Sequence, residues 1–118
     1  IHDFGDSIRF GASTAAEDET DLKKVTLDLT LFEAYSRGFL KGCAGTLTVQ
    51  EREMLPEGAL IMTLECGIRF LTDYLQNDIY FKIHRPGHNL DRCRTQFKLA
   101  AEMENKMDAM RGILAQIE

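Results

Sequence analysis

Tryptophan is absent from the 118 residues, proline occurs only twice, and aromatic residues make up 8% of the chain. The number of cysteines is odd, and no CxxC pair is formed by Cys43, Cys66 and Cys93. These absences disfavour both a disulfide scaffold and a cysteine-rich zinc site. We therefore expect three buried or half-buried thiols in a reduced protein, and hence a cytoplasmic location.

Positive charge is also scarce, because 14 Lys and Arg face 19 Asp and Glu, for a formal net charge of -5. A field of this sign disfavours nucleic acid as a partner. No apolar run approaches the roughly 20 residues that cross a bilayer, so no membrane partner is expected. The chain is long enough for one domain, residues 1–118, or for part of a larger one. It starts at Ile1 with no visible leader, which suggests a fragment or an excised domain.

Complete catalytic motifs are missing as well. The chain has no GxSxG elbow, no Walker loop and no GxGxxG turn. The string Asp3-Phe4-Gly5 matches the magnesium-binding DFG of kinases, but no catalytic loop precedes it, so Asp3 is more simply a helix cap. The ligand spacing of His84, His88 and Cys93 fits no compact zinc pattern, which favours structural or surface histidines.

Local signals predict a mainly helical chain. Asp3 or Asp6 could cap a short helix that passes Ile8 and Phe10 and ends at Gly11. An acidic loop over residues 15–21 and a short extended piece over residues 26–30 are expected to follow.

Three further signals mark helix boundaries. A helix is predicted from about Leu29 to Lys41, closed by Gly42. Thr48 and Glu51 form the pattern of a capping box, and Pro56 should interrupt that short helix and start the next one.

Apolar spacing predicts two long helices. The first should end near residues 76–77 and carry one leucine-rich face: Leu60, Leu64, Ile68, Leu71 and Leu75. Asn89 is the expected cap of a single C-terminal helix, whose inner stripe is Cys93, Phe97, Ala100, Met103, Met107, Met110, Leu114 and Ile117. Methionine at these positions is expected to fill gaps in the core.

Arg69 is the most suggestive polar residue on the first long helix, because it lies next to the apolar stripe. Polar and aromatic residues follow it at Tyr74, Tyr80, Lys82, His84 and Arg85. Arginine offers a rigid fork of donors and tyrosine a stacking face with one polar tip, so Arg69 with the nearby tyrosines suits a hydroxyl-rich or anionic ligand. The alternative is a surface arginine and a half-buried tyrosine.

Three longer strings together resemble a known family. They are HDFGDSIRFGASTAAEDE at residues 2–19, LFEAYSRGFL at residues 31–40, and DIYFKIHRPGHNLDRCRTQF at residues 78–97. They are similar to the C-terminal part of the N-acetylhexosamine 1-kinases, within the aminoglycoside phosphotransferase-like superfamily. The resemblance covers most of the chain, and the last string is the most specific.

The resemblance implies a fold and a function. The chain would be the helical C-terminal part of the large lobe of a protein-kinase-like enzyme. That enzyme would use ATP and Mg²⁺ to phosphorylate the anomeric hydroxyl of an N-acetylhexosamine. Its catalytic and magnesium-binding aspartates would precede Ile1, so this part alone would be inactive and would need the N-terminal part of its own chain. By the same resemblance, Arg69 and Tyr80 would hold the amino-sugar, and Asp3 would be a structural aspartate.

Two alternatives have different implications. The chain could be a stand-alone helical interaction module whose Met-rich last helix docks a partner. Relatives of the group are also labelled mucin-desulfating proteins, but sulfatase chemistry needs a CxPxR-type string, and the sequence has none.

Overall fold

Helices dominate the structure, a computed structural model that describes residues 2–43 and 45–117. They contain 70% of the residues, and no β-strand occurs in those two ranges. The prediction of a mainly α protein is therefore confirmed. The α-helices are α1 (His2–Gly11), α2 (Leu29–Gly42), α3 (Val49–Glu53), α4 (Leu55–Leu75), α5 (His88–Asn105) and α6 (Met107–Gln116).

Helix α1 differs from its prediction at the N-terminal end. The helix includes His2, so Asp3 lies inside the first turn and Asp6 one turn further on. Neither is a cap, and Asp6 instead lies 3.5 Å from Nε of Arg9 across one turn. Arg9 is largely buried and donates to Glu17 Oε2 at 2.7 Å, which pins the following acidic loop to the helix.

The segment between α1 and α2 is irregular. Its one regular piece is a turn of 3-10 helix, Leu22–Lys24, capped by Asp21. The extended piece predicted over residues 26–30 is confirmed only at Leu27, which forms an isolated bridge with Ser13. The prediction is wrong at the last two residues, because the carboxylate of Asp28 accepts from the amides of residues 30 and 31 and starts α2.

Local boundary signals are confirmed in the middle of the chain. Helix α2 ends at Gly42, one residue beyond the prediction. The Thr48–Glu51 capping box is complete in both directions. Pro56 lies in the first turn of α4, where its missing amide hydrogen costs nothing.

Helix α4 is the centre of the molecule and packs against α1 and α5. Its buried side carries small or planar residues: Ala59, Thr63, Gly67 and Phe70. The predicted leucine-rich face coincides with this buried side only in part, because Leu60 packs against the core whereas Ile68 is 55% exposed and Leu75 is 72% exposed. Close helix packing explains the choice, since a Cβ on Gly67 would lie 2.6 Å from the Phe97 ring of α5.

The core joins five of the helices. It is formed by residues from α1, α2, α4, α5 and α6 and from the segment before α2: Phe4, Ile8, Val25, Leu27, Phe32, Leu55, Leu99, Met103, Met110 and Leu114. Met103 and Met110 are fully buried, so the prediction that methionine fills the core is confirmed at these positions. None of the helices in the described part of the chain is both long and apolar enough to cross a membrane.

The predicted single C-terminal helix is wrong, because the chain leaves helical geometry at Lys106. No proline or glycine marks the break. Instead the Lys106 ammonium donates to Leu27 O at 2.8 Å and to Thr26 Oγ1 at 3.0 Å. This tertiary contact holds the junction and lets α6 turn onto α2 and α4.

Candidate functional site

The end of α4 sets the geometry of the candidate site. Asn77 and Asp78 have left-handed backbone angles, with φ of 68° and 59°. The amide of Asp78 donates to Asp73 O at 2.8 Å, and the amide of Asn77 to Tyr74 O at 3.3 Å. This is the bonding pattern of a Schellman motif, for which asparagine is a suitable residue. The chain is thereby reversed toward the last turns of α4.

Asp73 fixes the segment that follows the turn. Its carboxylate is buried and accepts from the backbone amide of Tyr80 at 2.7 Å and from that of Phe81 at 3.0 Å. The side-chain amide of Asn89 donates to the same carboxylate at 2.7 Å and to Asp78 Oδ1 at 3.0 Å. One aspartate thus joins α4, the following segment and the start of α5.

Hydrogen bonding outweighs burial in the electrostatics of Asp73. Burial by itself raises the pKa of the Asp73 carboxyl, but the amides of Phe81 and Tyr80 and the side chain of Asn89 together lower it below its usual range. The carboxylate is therefore ionised at neutral pH, with its oxygens engaged by donors. Its role is to position the backbone, which leaves ligand contacts to its neighbours.

Arg69 and Tyr80 are brought together by this arrangement. The Arg69 guanidinium carbon lies 5.8 Å from the centre of the Tyr80 ring and 5.6 Å from that of Phe81. The Phe81 ring in turn packs on Phe70, with 4.7 Å between ring centres. Tyr80 itself is 72% exposed. An exposed arginine near an open aromatic face is the result.

A cavity of about 340 Å³ opens beside these residues. Its wall is made by Arg69, Thr72, Asp73, Gln76, Tyr80 and Phe81. The volume is at the small end of the range for ligand pockets. Guanidinium, hydroxyl and carboxamide groups offer donors and acceptors next to two aromatic rings. This combination suits a small ligand that carries several hydroxyl or carbonyl oxygens.

The histidines predicted as structural lie in a separate hydrogen-bonded group. The amide of His84 donates to His88 Nδ1 at 3.1 Å, and His88 Nε2 lies 2.7 Å from Asp18 Oδ2. A neutral ring with its proton on Nε2 satisfies both contacts. The hydrogen bond with His88 lowers the pKa of the Asp18 carboxyl. His88 is buried and ties α5 to the acidic loop.

No metal-binding cluster is formed by the residues that the structure describes, since nowhere do three His, Cys, Asp or Glu side chains converge. His84, His88 and Cys93 accordingly do not make a site. Cys93 is buried and Cys43 and Cys66 are half-buried free thiols, as predicted. Burial raises the pKa of the Cys66 and Cys93 thiols, so both are protonated at neutral pH and react more slowly than an exposed thiol.

Sequence reasoning missed the two residues that build the site, Asp73 and Asn89. Asn89 was expected to cap α5, but the cap position is Gly87 and Asn89 lies in the first turn with its side chain buried. The sequence did not point to Asp73, because the predicted leucine-rich face gave no indication that residue 73 is buried. No family model matches this sequence, so the kinase-like family remains a prediction.

Proposed function

We propose that the chain is the C-terminal part of the large lobe of a kinase-like enzyme of the aminoglycoside phosphotransferase type, which phosphorylates an N-acetylhexosamine at its anomeric hydroxyl. The cavity beside Arg69 and Tyr80 would form part of the amino-sugar pocket. The observation that carries the proposal is this juxtaposition, since the family resemblance and the chemistry of the cavity lead to the same two residues.

Arg69 and Tyr80 would make different kinds of contact with the sugar. The guanidinium donates to sugar hydroxyls or to the acetamido carbonyl, while the exposed face of the tyrosine ring packs against the C–H groups of the sugar. Asp73 acts through Tyr80 by holding its backbone amide. These contacts would fix the sugar in one orientation, which is what a phosphoryl acceptor requires.

ATP and Mg²⁺ belong to the proposal as groups that the rest of the protein would bind. In phosphoryl transfer, magnesium offsets the charge of the phosphates. The contribution of this chain is confined to binding and orienting the acceptor.

The outer side of α4 supports the view that more protein is needed. Ile61, Leu64, Ile68 and Leu75 form an apolar stripe along the helix and are between 39% and 72% exposed. Large apolar side chains in one row on a surface indicate an interaction site. A further part of the lobe packed on α4 would cover them. The alternative of a module that docks through its methionines gains no support from the fold, since Met103 and Met110 are buried.

The test is steady-state kinetics of the full-length protein with GlcNAc and ATP. We expect Arg69→Gln to lower kcat/KM for the sugar by roughly 10- to 100-fold, the loss of one or two hydrogen bonds to a charged donor. The KM for ATP should stay within about twofold, because the nucleotide does not contact this cavity in the proposal. Arg69→Lys should recover only part of the loss.

Arg94→Gln is the matched control, because Arg94 is an exposed arginine of α5 that does not line the cavity. It should leave the kinetics of both substrates unchanged. Unchanged sugar KM and kcat in Arg69→Gln would overturn the site. Failure of the wild-type protein to phosphorylate GlcNAc or its epimers would overturn the function.

A further inference from the structure

A second cavity lies at the opposite end of α4 from Arg69. It has a volume of about 540 Å³ and lies between the end of α2, α3 and the chain beyond α6. Three cationic side chains line it: Arg37, Lys41 and Arg52. The α4 helix separates this cavity from the Arg69 cavity by about 20 Å, the length of the helix from Leu55 to Arg69. The two cavities are therefore distinct sites.

Arg52 is held in place at the back of this cavity. Its Nη2 donates to Leu114 O at 2.7 Å, in the last turn of α6. Carbonyls at a helix C-terminus lack partners in the helix, so the guanidinium both caps α6 and is immobilised by it. Within the described part of the chain the planar fork donates this one side-chain hydrogen bond, and it carries further N–H groups.

Arg37 and Lys41 approach from the facing helix. They are one turn apart on α2, so their side chains lie on the same face and repel each other. The one ion pair described for them is between Arg37 and Glu33, at 3.6 Å and exposed to solvent. Such an exposed pair offsets little of the repulsion.

The described acidic groups near Arg52 belong to a neighbouring groove. Glu53 and Glu57 line that groove between α3, α4 and α6. Glu57 is bound by Arg111 there, and Glu53 is exposed. The lining residues of the cavity described here include three cations and no carboxylate, whereas the chain as a whole has a net charge of -5.

Apolar residues complete the wall of the cavity. Leu40 and Leu47 are partly buried against the core, and Ile117 is buried. The thiol of Cys43 also lines the space. A pocket of this size, with an apolar floor and convergent polar groups, has the properties of a small-molecule site.

We propose that this cavity binds a small phosphorylated metabolite with at least two negative charges. Its phosphate oxygens would be held by Arg52, Arg37 and Lys41, and its carbon skeleton would pack on Leu40 and Leu47. Guanidinium groups match the geometry of phosphate oxygens, and of the three cations the half-buried Arg52 is the least exposed to solvent. The proposal is independent of the sugar pocket.

The experiment uses pyrophosphate as the probe and the full-length protein. Alkylation of Cys43 by iodoacetamide, followed by mass spectrometry of the peptide, reports on this cavity alone. We expect pyrophosphate to slow the labelling of Cys43 several-fold and in a saturable way, because it fills the space beside the thiol. The labelling of Cys66, which lies on α4 outside this cavity, should not change.

The double variant Arg37→Gln/Lys41→Gln should raise the pyrophosphate concentration needed for half-maximal protection at least tenfold, as expected for the loss of two charged donors. The matched control is Lys23→Gln/Lys24→Gln, which removes the same charge from an exposed turn elsewhere. The control should change that concentration by less than about twofold. Absence of saturable protection, or an equal effect of both double variants, would overturn the proposal.

Discussion

The two sides of α4 differ in burial, and their hydrophobicity does not show which side is buried. The inner side carries Ala59, Thr63 and Gly67 and is buried, whereas the outer side carries Ile61 and Ile68 and is exposed. Small residues allow α1 and α5 to approach the helix closely, and larger ones would hold them apart. The most apolar stripe of a helix is therefore not always the stripe that is buried in the core. Its exposure is a reason to expect a further partner.

Truncation of an aromatic residue on the inner side should have the largest effect on stability. Phe70 is 3% exposed and packs on Phe81. We expect Phe70→Ala to lower the free energy of unfolding by about 3–5 kcal/mol, measured by chemical denaturation. In the 118-residue chain, Ile68→Ala on the outer side should change it by less than about 0.5 kcal/mol.

Under the proposed function, the same pair of variants sharpens the comparison in the complete kinase. If further protein covers the outer side of α4, Ile68→Ala should cost more than about 1 kcal/mol there. Equal costs for the two variants in the 118-residue chain would show that the two sides do not differ in packing.

The second-largest effect on stability is expected from a methyl group added on the buried side of α4. In Gly67→Ala the new Cβ would lie 2.6 Å from the Phe97 ring and 3.3 Å from Gln96 Cβ. The ring must move, so we expect a loss of about 1–3 kcal/mol in a thermal or chemical melt. Gly38→Ala on α2 is the matched control, because no atom lies within 4 Å of its added Cβ.

The Gly38→Ala variant should gain about 0.5–1 kcal/mol, since alanine loses less backbone entropy than glycine in a helix. Opposite signs for the two substitutions would support close packing at Gly67. A gain in both would mean that α5 does not press on α4 there.

Acidification should give the smallest of these effects. The pKa of the Asp73 carboxyl is lower in the folded protein than in the unfolded chain, because its hydrogen bonds outweigh burial. The resulting stabilisation is present above the unfolded pKa, near 4, and is lost as the pH falls through the folded value. We expect Asp73→Asn to lower the midpoint of chemical denaturation at pH 7, and to lower it less at pH 3.

Glu65→Gln is the control for this measurement, as an exposed carboxylate on the outer side of the same helix. It should leave the pH dependence of unfolding unchanged. A difference between wild type and Asp73→Asn that stays constant from pH 7 to pH 3 would rule out the proposed role of the Asp73 charge.

Local signals predicted much of the fold. The bounds of α2, the Thr48 capping box and the start of α4 at Pro56 all depend on residues within one helical turn. The break at Lys106 escaped prediction because its cause lies at Thr26 and Leu27, about 80 residues away in the chain. The same holds for the buried side of α4, which is chosen by Phe97 on another helix.

The candidate site, like the fold, was predictable from the sequence only in part. The chemical suitability of Arg69 and Tyr80 could be stated from residue types, and their pairing from the resemblance. Their approach across eleven residues requires the left-handed turn at Asn77 and the Asp73 carboxylate, which hydrophobic periodicity does not encode. The prediction that Asn89 caps α5 was wrong, because its side chain donates to Asp73 instead of binding the end of the helix.

The way in which Asp73 holds the segment has a consequence for how ligand preference can change. The carboxylate grips the main-chain amides of residues 80 and 81 and makes no bond to the Tyr80 hydroxyl. The Asp73 carboxylate would hold any residue with a backbone N–H at the same place. A substitution at position 80 can therefore change the side chain that faces a ligand without altering the backbone that Asp73 holds.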